Sequence, residues 1–257
     1  MNESDFLNYF DINKKNNTLI LKRDIINETI DAYDVYTYIQ DNYKFCAEVL
    51  KIGKDVQDIS NFQIKDLFWE IQVDEENKHF TTINKDLYSK DLSQFIHCCV
   101  GSKNSSTFKI PKSIRVIKSG CFYFDFDSYL DNEIVLKKIV LNEELEEIED
   151  FAFCGEAVGQ KIIINDNLSI LHNNSFDCNG LDFQIHKNPH FKMENGMLIY
   201  LPYKIVLKAE PEAIIKNLET ILNENCKHLH SAILFAIKKA LFDLANRLNT
   251  NMAKEIE

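Results

Sequence analysis

Three stretches of the chain keep one frame. Phe108-x-Ile110-x3-Ile114-x2-Ile117-x3-Cys121-Phe122 recurs as Ile139-x-Leu141-x3-Leu145-x2-Ile148-x3-Ala152-Phe153, and again as Ile162-x-Ile164-x3-Leu168-x2-Leu171-x3-Ser175-Phe176. Every framed position is apolar or small, and each copy closes on a small residue followed by Phe. One such unit cannot bury its apolar edge alone, so the copies must stack. Stacked repeats display a surface far more often than they enclose a reaction. The closing Phe residues are 31 and then 23 apart, so eight extra residues fall between Phe122 and the next strand, around Phe124 to Glu133.

In each copy the Ile-x-Ile/Leu element reads as a short strand, whose side chains alternate inward and outward. The outward residues then form columns. The first is Thr107, Lys138, Lys161 and Asp182, the central one Lys109, Val140, Ile163 and Gln184, and the third Pro111, Asn142, Asn165 and His186. Val140 beside Ile163 makes an apolar spot rimmed by Lys and Asn, which is the character of an interface, unless a neighbouring element covers it. The insertion is the second candidate for partner binding. It interleaves Phe124, Phe126, Tyr129 and Leu130 with Asp125, Asp127, Asp131 and Glu133. Its aromatics offer contact area and its acids select a basic partner; otherwise the rings fold back over a gap in the stack. The nearby Glu143, Glu144, Glu146, Glu147, Glu149 and Asp150 are expected to deepen that negative field.

Before the repeats, Tyr36, Ile39, Tyr43, Cys46 and Leu50 step by three and four. That spacing predicts a helix capped by Asp31 or Thr29 and stopped by Gly53. Leu67, Trp69, Ile71 and Val73 alternate as a strand does, with Trp69 in the core and His79 to Ile83 as the hairpin partner. Leu87 to Val100 reads as a further short helix, and nothing in residues 1–103 reads as a repeat. The polar run Gly101 to Ser106 is the best boundary. After a degraded fourth strand, Phe183-Gln184-Ile185, Asn195-Gly196 between alternating apolar residues predicts a hairpin. Helices then follow from Pro211 and over Lys227 to Leu248, expected to cover the open end of the stack.

A net charge of -11 with pI near 5.2 argues against direct nucleic-acid or anionic-membrane binding and favours a basic partner. The first residues lack the basic start and apolar core of a secretory signal, and no apolar run is long enough to span a bilayer. The seven cysteines (46, 98, 99, 121, 154, 178 and 226) lack regular spacing and read as reduced thiols of a cytoplasmic protein. His97-Cys98-Cys99 is the densest group of soft ligands, but no second ligand pair completes a zinc site. His186 and His190 are separated by a helix-breaking Pro189, and His228 and His230 point to different helix faces. No phosphate loop, nucleophile elbow or HExxH motif occurs, so no catalytic residue, metal or cofactor is expected.

The segment Phe108 to Tyr200 resembles the BspA-type leucine-rich repeats. Ile110-Pro111-Lys112-Ser113-Ile114 and Asp150-Phe151-Ala152-Phe153 match their "I-x-[IL]-P-x-x-[LI]-x-x-I-x-x-x-A-F" pattern. Asn188-Pro189-His190-Phe191 with Glu194 to Leu198 looks like the hairpin that follows such repeats. The resemblance implies a protein-binding role and supplies no catalytic residues. The expected fold is α/β: a short leucine-rich-repeat β-solenoid over 104–207, an N-terminal α/β unit over 1–103, and C-terminal capping helices over 208–257. The expected function is a non-catalytic, intracellular protein-interaction module, in its sharper form an acidic inhibitor or immunity-type protein that blocks a basic, nucleic-acid-handling enzyme. The alternatives are an enzyme with its site in the N-terminal unit and a structural subunit of a larger complex.

Overall fold

The repeat frame sets strand register residue for residue. Phe108, Ile139, Ile162 and Phe183 stand side by side in a parallel ladder of Thr107–Lys109, Lys138–Val140, Lys161–Ile164 and Asp182–Ile185. A second parallel ladder joins Gln94–His97, Val116–Ile117, Glu147–Ile148 and Ile170–Leu171. The third joins Phe122–Phe124, Phe153–Glu156 and Phe176–Asn179. The computed structural model describes residues 1–99, 103, 106–124, 136–156, 161–172, 174–179, 181–185, 187–194, 197–201 and 205–209. By its internal contacts the chain divides into two units, Met1–Asn188 and Pro189–Glu257, so the polar run at 101–106 falls inside the first.

Every framed position except Phe108 and Leu171 is buried. The closing Phe residues form the interior column that the frame predicts. The Phe122 and Phe153 rings are stacked 4.7 Å apart at 3°, Phe176 follows Phe153 at 5.1 Å, and Phe183 meets Phe176 edge-on at 4.8 Å. Full burial of one such side chain contributes about 2–3 kcal/mol.

Buried asparagines hold the turn after the first strand of each rung. Asn142 Nδ2 donates to Pro111 O at 2.7 Å and Ile114 O at 2.9 Å in the preceding rung. Asn165 donates likewise to Asn142 O and Leu145 O, and Asn188 to Asn165 O and Leu168 O. Each side chain reaches two carbonyls three residues apart, groups that a buried turn otherwise leaves unpaired.

The same device occurs in the N-terminal region, where the sequence shows no repeat. Asn77 Nδ2 donates to Gly53 O at 2.7 Å and Val56 O at 2.9 Å, while its Oδ1 accepts from the backbone N–H of His79 and Phe80, both at 2.8 Å. Asn165 Oδ1 accepts from Asn167 and Leu168 in the same way, at 2.9 and 2.6 Å. Thr18–Leu21, Val49–Ile52 and Glu70–Val73 form a parallel, in-register ladder, and Phe10–Asn13 closes one edge antiparallel. These strands stack as the repeat rungs do, without sharing their frame.

Several expectations for this region are corrected. The helix is Ala32–Tyr43, capped by Asp31, and it ends at Lys44 in the left-handed region. Leu50 therefore lies on a strand, and Cys46 precedes it. Gly53 is not a helix stop: a Cβ there would lie 2.7 Å from Leu21 O, so glycine permits the approach of two rungs. The strand starts at Glu70 rather than Leu67, because a 3-10 turn at Lys65–Leu67 resets the phase. Ile71 is buried as the alternation expects, but Phe68 is buried in place of Trp69, which is 49% exposed. Phe80–Ile83 pairs with Asp86–Ser89, across a turn in which Asn84 and Lys85 both have positive φ, and Gln94–His97 pairs antiparallel with the other edge of Asp86–Ser89. Leu87 to Val100 is accordingly not helical where it is described.

In the second unit, Phe191–Glu194 and Met197–Tyr200 pair antiparallel as Asn195-Gly196 requires, and Ile205–Ala209 adds a third strand. The helices expected after Pro211 lie outside the described residues. Among the described residues no helix is long and apolar enough to cross a membrane.

Candidate partner-binding ladder

The first ladder sets the expected columns in register. Thr107, Lys138, Lys161 and Asp182 are successive partners, and so are Lys109, Val140, Ile163 and Gln184. Ile139 and Ile162 between them are buried, so these columns face away from the interior. Lys109 and Gln184 are exposed, while Lys138, Val140, Lys161 and Ile163 are half-buried. Lys161 pairs with Asp182 at 3.1 Å.

The third column is a correction. Asn142 and Asn165 do not point outward; they are buried and belong to the turn device described above. His186 lies outside the described residues, as do the insertion's Asp125, Phe126, Asp127, Tyr129, Asp131 and Glu133.

Charge is sorted between ladders. The acidic run from Glu143 to Asp150 serves the second ladder, where it meets basic side chains of neighbouring rungs. Arg115 lies 3.4 Å from Glu144 and 3.8 Å from Glu146, and Lys118 pairs with Glu149. His172 Nε2 is 2.8 Å from Glu147, and its Nδ1 is 3.6 Å from Asp150. Arg115 and Lys118 offset two of the six carboxylates of this run. On the first ladder Lys109, Lys138 and Lys161 share a face, with Asp182 as its acid among the described residues.

The soft-ligand cluster is an interior seam. His97, Cys98 and Cys99 are all buried. His97 stands 3.3 Å through Nδ1 from Gly120 O, so the ring carries its proton there, and burial lowers its pKa to about 4. Burial pushes the Cys98 and Cys121 thiols well up and Cys154 to about 12. Neutral thiols are poor nucleophiles and poor metal ligands. Asp86, also buried, accepts from the Cys99 N–H at 2.9 Å and from Lys103 Nζ at 2.5 Å. Desolvation raises its pKa against the opposing pull of Lys103. The six described cysteines are free thiols, with Cys46 exposed. Among the described residues no group of three or more His, Cys, Asp or Glu stands together as a metal site.

Sequence reasoning missed Asn77 and the seam pair Asp86–Lys103. Asn77 carried a usable signal, since it stands three residues before an apolar position, as Asn142 and Asn165 do.

No family model matches the chain, and no curated protein matches it. Among solved structures it is similar to the pneumococcal vaccine antigen PcpA, with 19% identity over 57% of this chain and 44% of that one, TM-score 0.36. It is also similar to a leucine-rich repeat protein from Eubacterium ventriosum, with 20% identity over 54% of this chain and 37% of that one, TM-score 0.40. The chain spans less than half the length of either. Frame, ladders and turn asparagines, all visible within the chain itself, make Phe108 to Asn188 a stack of parallel β repeats.

Proposed function

We propose that the chain is a non-catalytic protein-interaction module that holds its partner on the outward face of the first ladder. The register of that ladder carries the reading: it sets two aliphatic side chains, Val140 and Ile163, side by side among lysines on a rigid surface. Apolar centres with polar rims are the parts of surfaces that dock. The neutral, buried state of Cys98, Cys121 and His97 supports a non-catalytic role for that cluster.

A finer reading follows from the net charge of -11 and from the alternation of aromatics and acids at 124–133. In that reading the solenoid, closed by C-terminal capping helices, is a cytoplasmic inhibitor or immunity-type protein that blocks a basic, nucleic-acid-handling enzyme through Asp125, Phe126, Asp127, Tyr129, Asp131 and Glu133.

Affinity purification from native lysate with the parent and a Val140→Glu/Ile163→Glu variant tests the ladder. A stoichiometric partner held by the parent and lost by a variant with the parent's melting temperature supports it. Equal recovery by both overturns it. Changing Asp125, Asp127 and Asp131 to Asn and Glu133 to Gln tests the finer reading, since rim charges act on association rate and its salt dependence. Unchanged association removes the insertion from the interface.

A further inference from the structure

The geometry points to an acidic, extended polypeptide segment as the occupant of the first ladder, an inference that rests on the ladder being the docking face. Three lysines converge there: Lys138 and Lys161 in one column and Lys109 beside Val140 in the next. Neighbouring strands lie about 4.8 Å apart and residues two apart along a strand about 6.6 Å. Lys138 and Lys161 therefore stand within one side-chain length of the Val140–Ile163 pair along the strands, and Lys109 stands across from Val140. Cations thus border the apolar pair on two sides. Asp182 is the acid of the face, and it is engaged by Lys161 at 3.1 Å.

This local basicity runs against a chain whose net charge is -11. It arises because the acids of the same rungs are gathered on the second ladder, away from this face, where Arg115 and Lys118 meet three of them. A segment with one or two apolar side chains for the Val140–Ile163 pair and carboxylates on either side meets every feature of the face. Nucleic acid meets fewer of them. The centre of the face is aliphatic, and its cations are lysines without the arginine fork that suits phosphate.

The test uses the full chain and synthetic peptides of about ten residues, long enough to cross four strands. One peptide alternates Asp and Glu with Leu and Phe, a second replaces the acids by Asn and Gln, and a third by Lys. A single-stranded oligonucleotide of similar length completes the set. Fluorescence anisotropy should show binding of the acidic peptide, weakening between about 50 and about 300 mM salt as screening shortens. Lys138→Glu/Lys161→Glu should lower its affinity about tenfold or more. Val140→Ser/Ile163→Ser should lower it at every salt concentration, because that change removes the uncharged part of the contact. Preference for the lysine peptide, equal binding of the amide peptide, or equal or tighter binding of the oligonucleotide overturns the inference. So does self-association of the chain that the same Lys changes abolish, which assigns the face to a second copy. If the lysate partner is lost by the Val140→Glu/Ile163→Glu variant while no acidic peptide binds, the interaction module stands and this partner chemistry fails.

Discussion

Replacing Asn165 by Ala removes the hydrogen bonds that tie one rung to the previous one. Its Nδ2 donates to Asn142 O and to Leu145 O, the latter at 3.5 Å, and its Oδ1 accepts from the backbone of Asn167 and Leu168. Asn142 O keeps a long bond of 3.4 Å from Leu145 N, and exposed Asn167 can turn its N–H to water. Leu145 O and Leu168 N are left unpaired in the interior. Net hydrogen bonds contribute about 1 kcal/mol each, and an orphaned buried group costs about 1–3 kcal/mol, so the expected loss is about 3 kcal/mol. In a chain of this size that lowers Tm by roughly 6–12 °C. Calorimetry and urea unfolding should agree, with the midpoint moving and the m-value unchanged. Asn165→Asp keeps the acceptor but sets a carboxylate against two carbonyls. Its stability should recover as pH falls and the carboxyl protonates. Asn77→Ala should cost a similar amount, because its bonds match one for one. A loss under about 1 kcal/mol at Asn165, or an Asn165→Asp variant indifferent to pH, would refute the view that these turns depend on the amide.

Phe153→Ala empties the middle of the interior ring column and should cost about 3–5 kcal/mol by denaturant unfolding; a parental midpoint would remove Phe153 from the core. Gly120 has φ +69 and a Cβ there meets nothing within 4 Å, so Gly120→Ala should cost about 1 kcal/mol from the backbone alone. The pKa of His97 falls to about 4 on folding, below its unfolded value, so the unfolded state takes up the proton first as pH drops. Stability should fall by about 3 kcal/mol from pH 6.5 to 4, and His97→Gln should flatten that slope. Cys98 and Cys121 are raised instead, so stability should also decline above about pH 8.5, where only the unfolded thiols ionise. In the native protein, Cys46 should react with a thiol reagent well before the other described cysteines, as mass mapping after brief alkylation would show.

The repeat rungs were legible because three copies share one period, and the period alone gives register: Phe108 beside Ile139 beside Ile162 follows from the frame and is what the ladder shows. The N-terminal rungs were not. Thr18–Leu21, Val49–Ile52 and Glu70–Val73 use the same inward alternation, but their spacings of 31 and 21 residues and the helix between the first two break any fixed period. The helix start was readable from Asp31. Its end was not, since Lys44 takes the left-handed conformation without being glycine. The outward columns followed from alternation as far as the strands extend. Beyond Leu141 and Ile164 the chain turns, and two asparagines expected at the surface serve the interior instead.

Gln94–His97 is the first strand of the second repeat ladder although it precedes the polar run at 101–106. A fragment beginning at residue 104 would therefore start one strand short. Val116–Ile117 would become a bare edge, and Phe122 would lose the Phe95 ring that meets it edge-on at 5.4 Å. Unprotected edges and uncovered rings favour aggregation. The N-terminal region thus acts as the stopper of the repeat stack, and the shortest fragment that stays soluble must begin upstream of the hairpin at Phe80, not at the polar run that the sequence offers as a boundary.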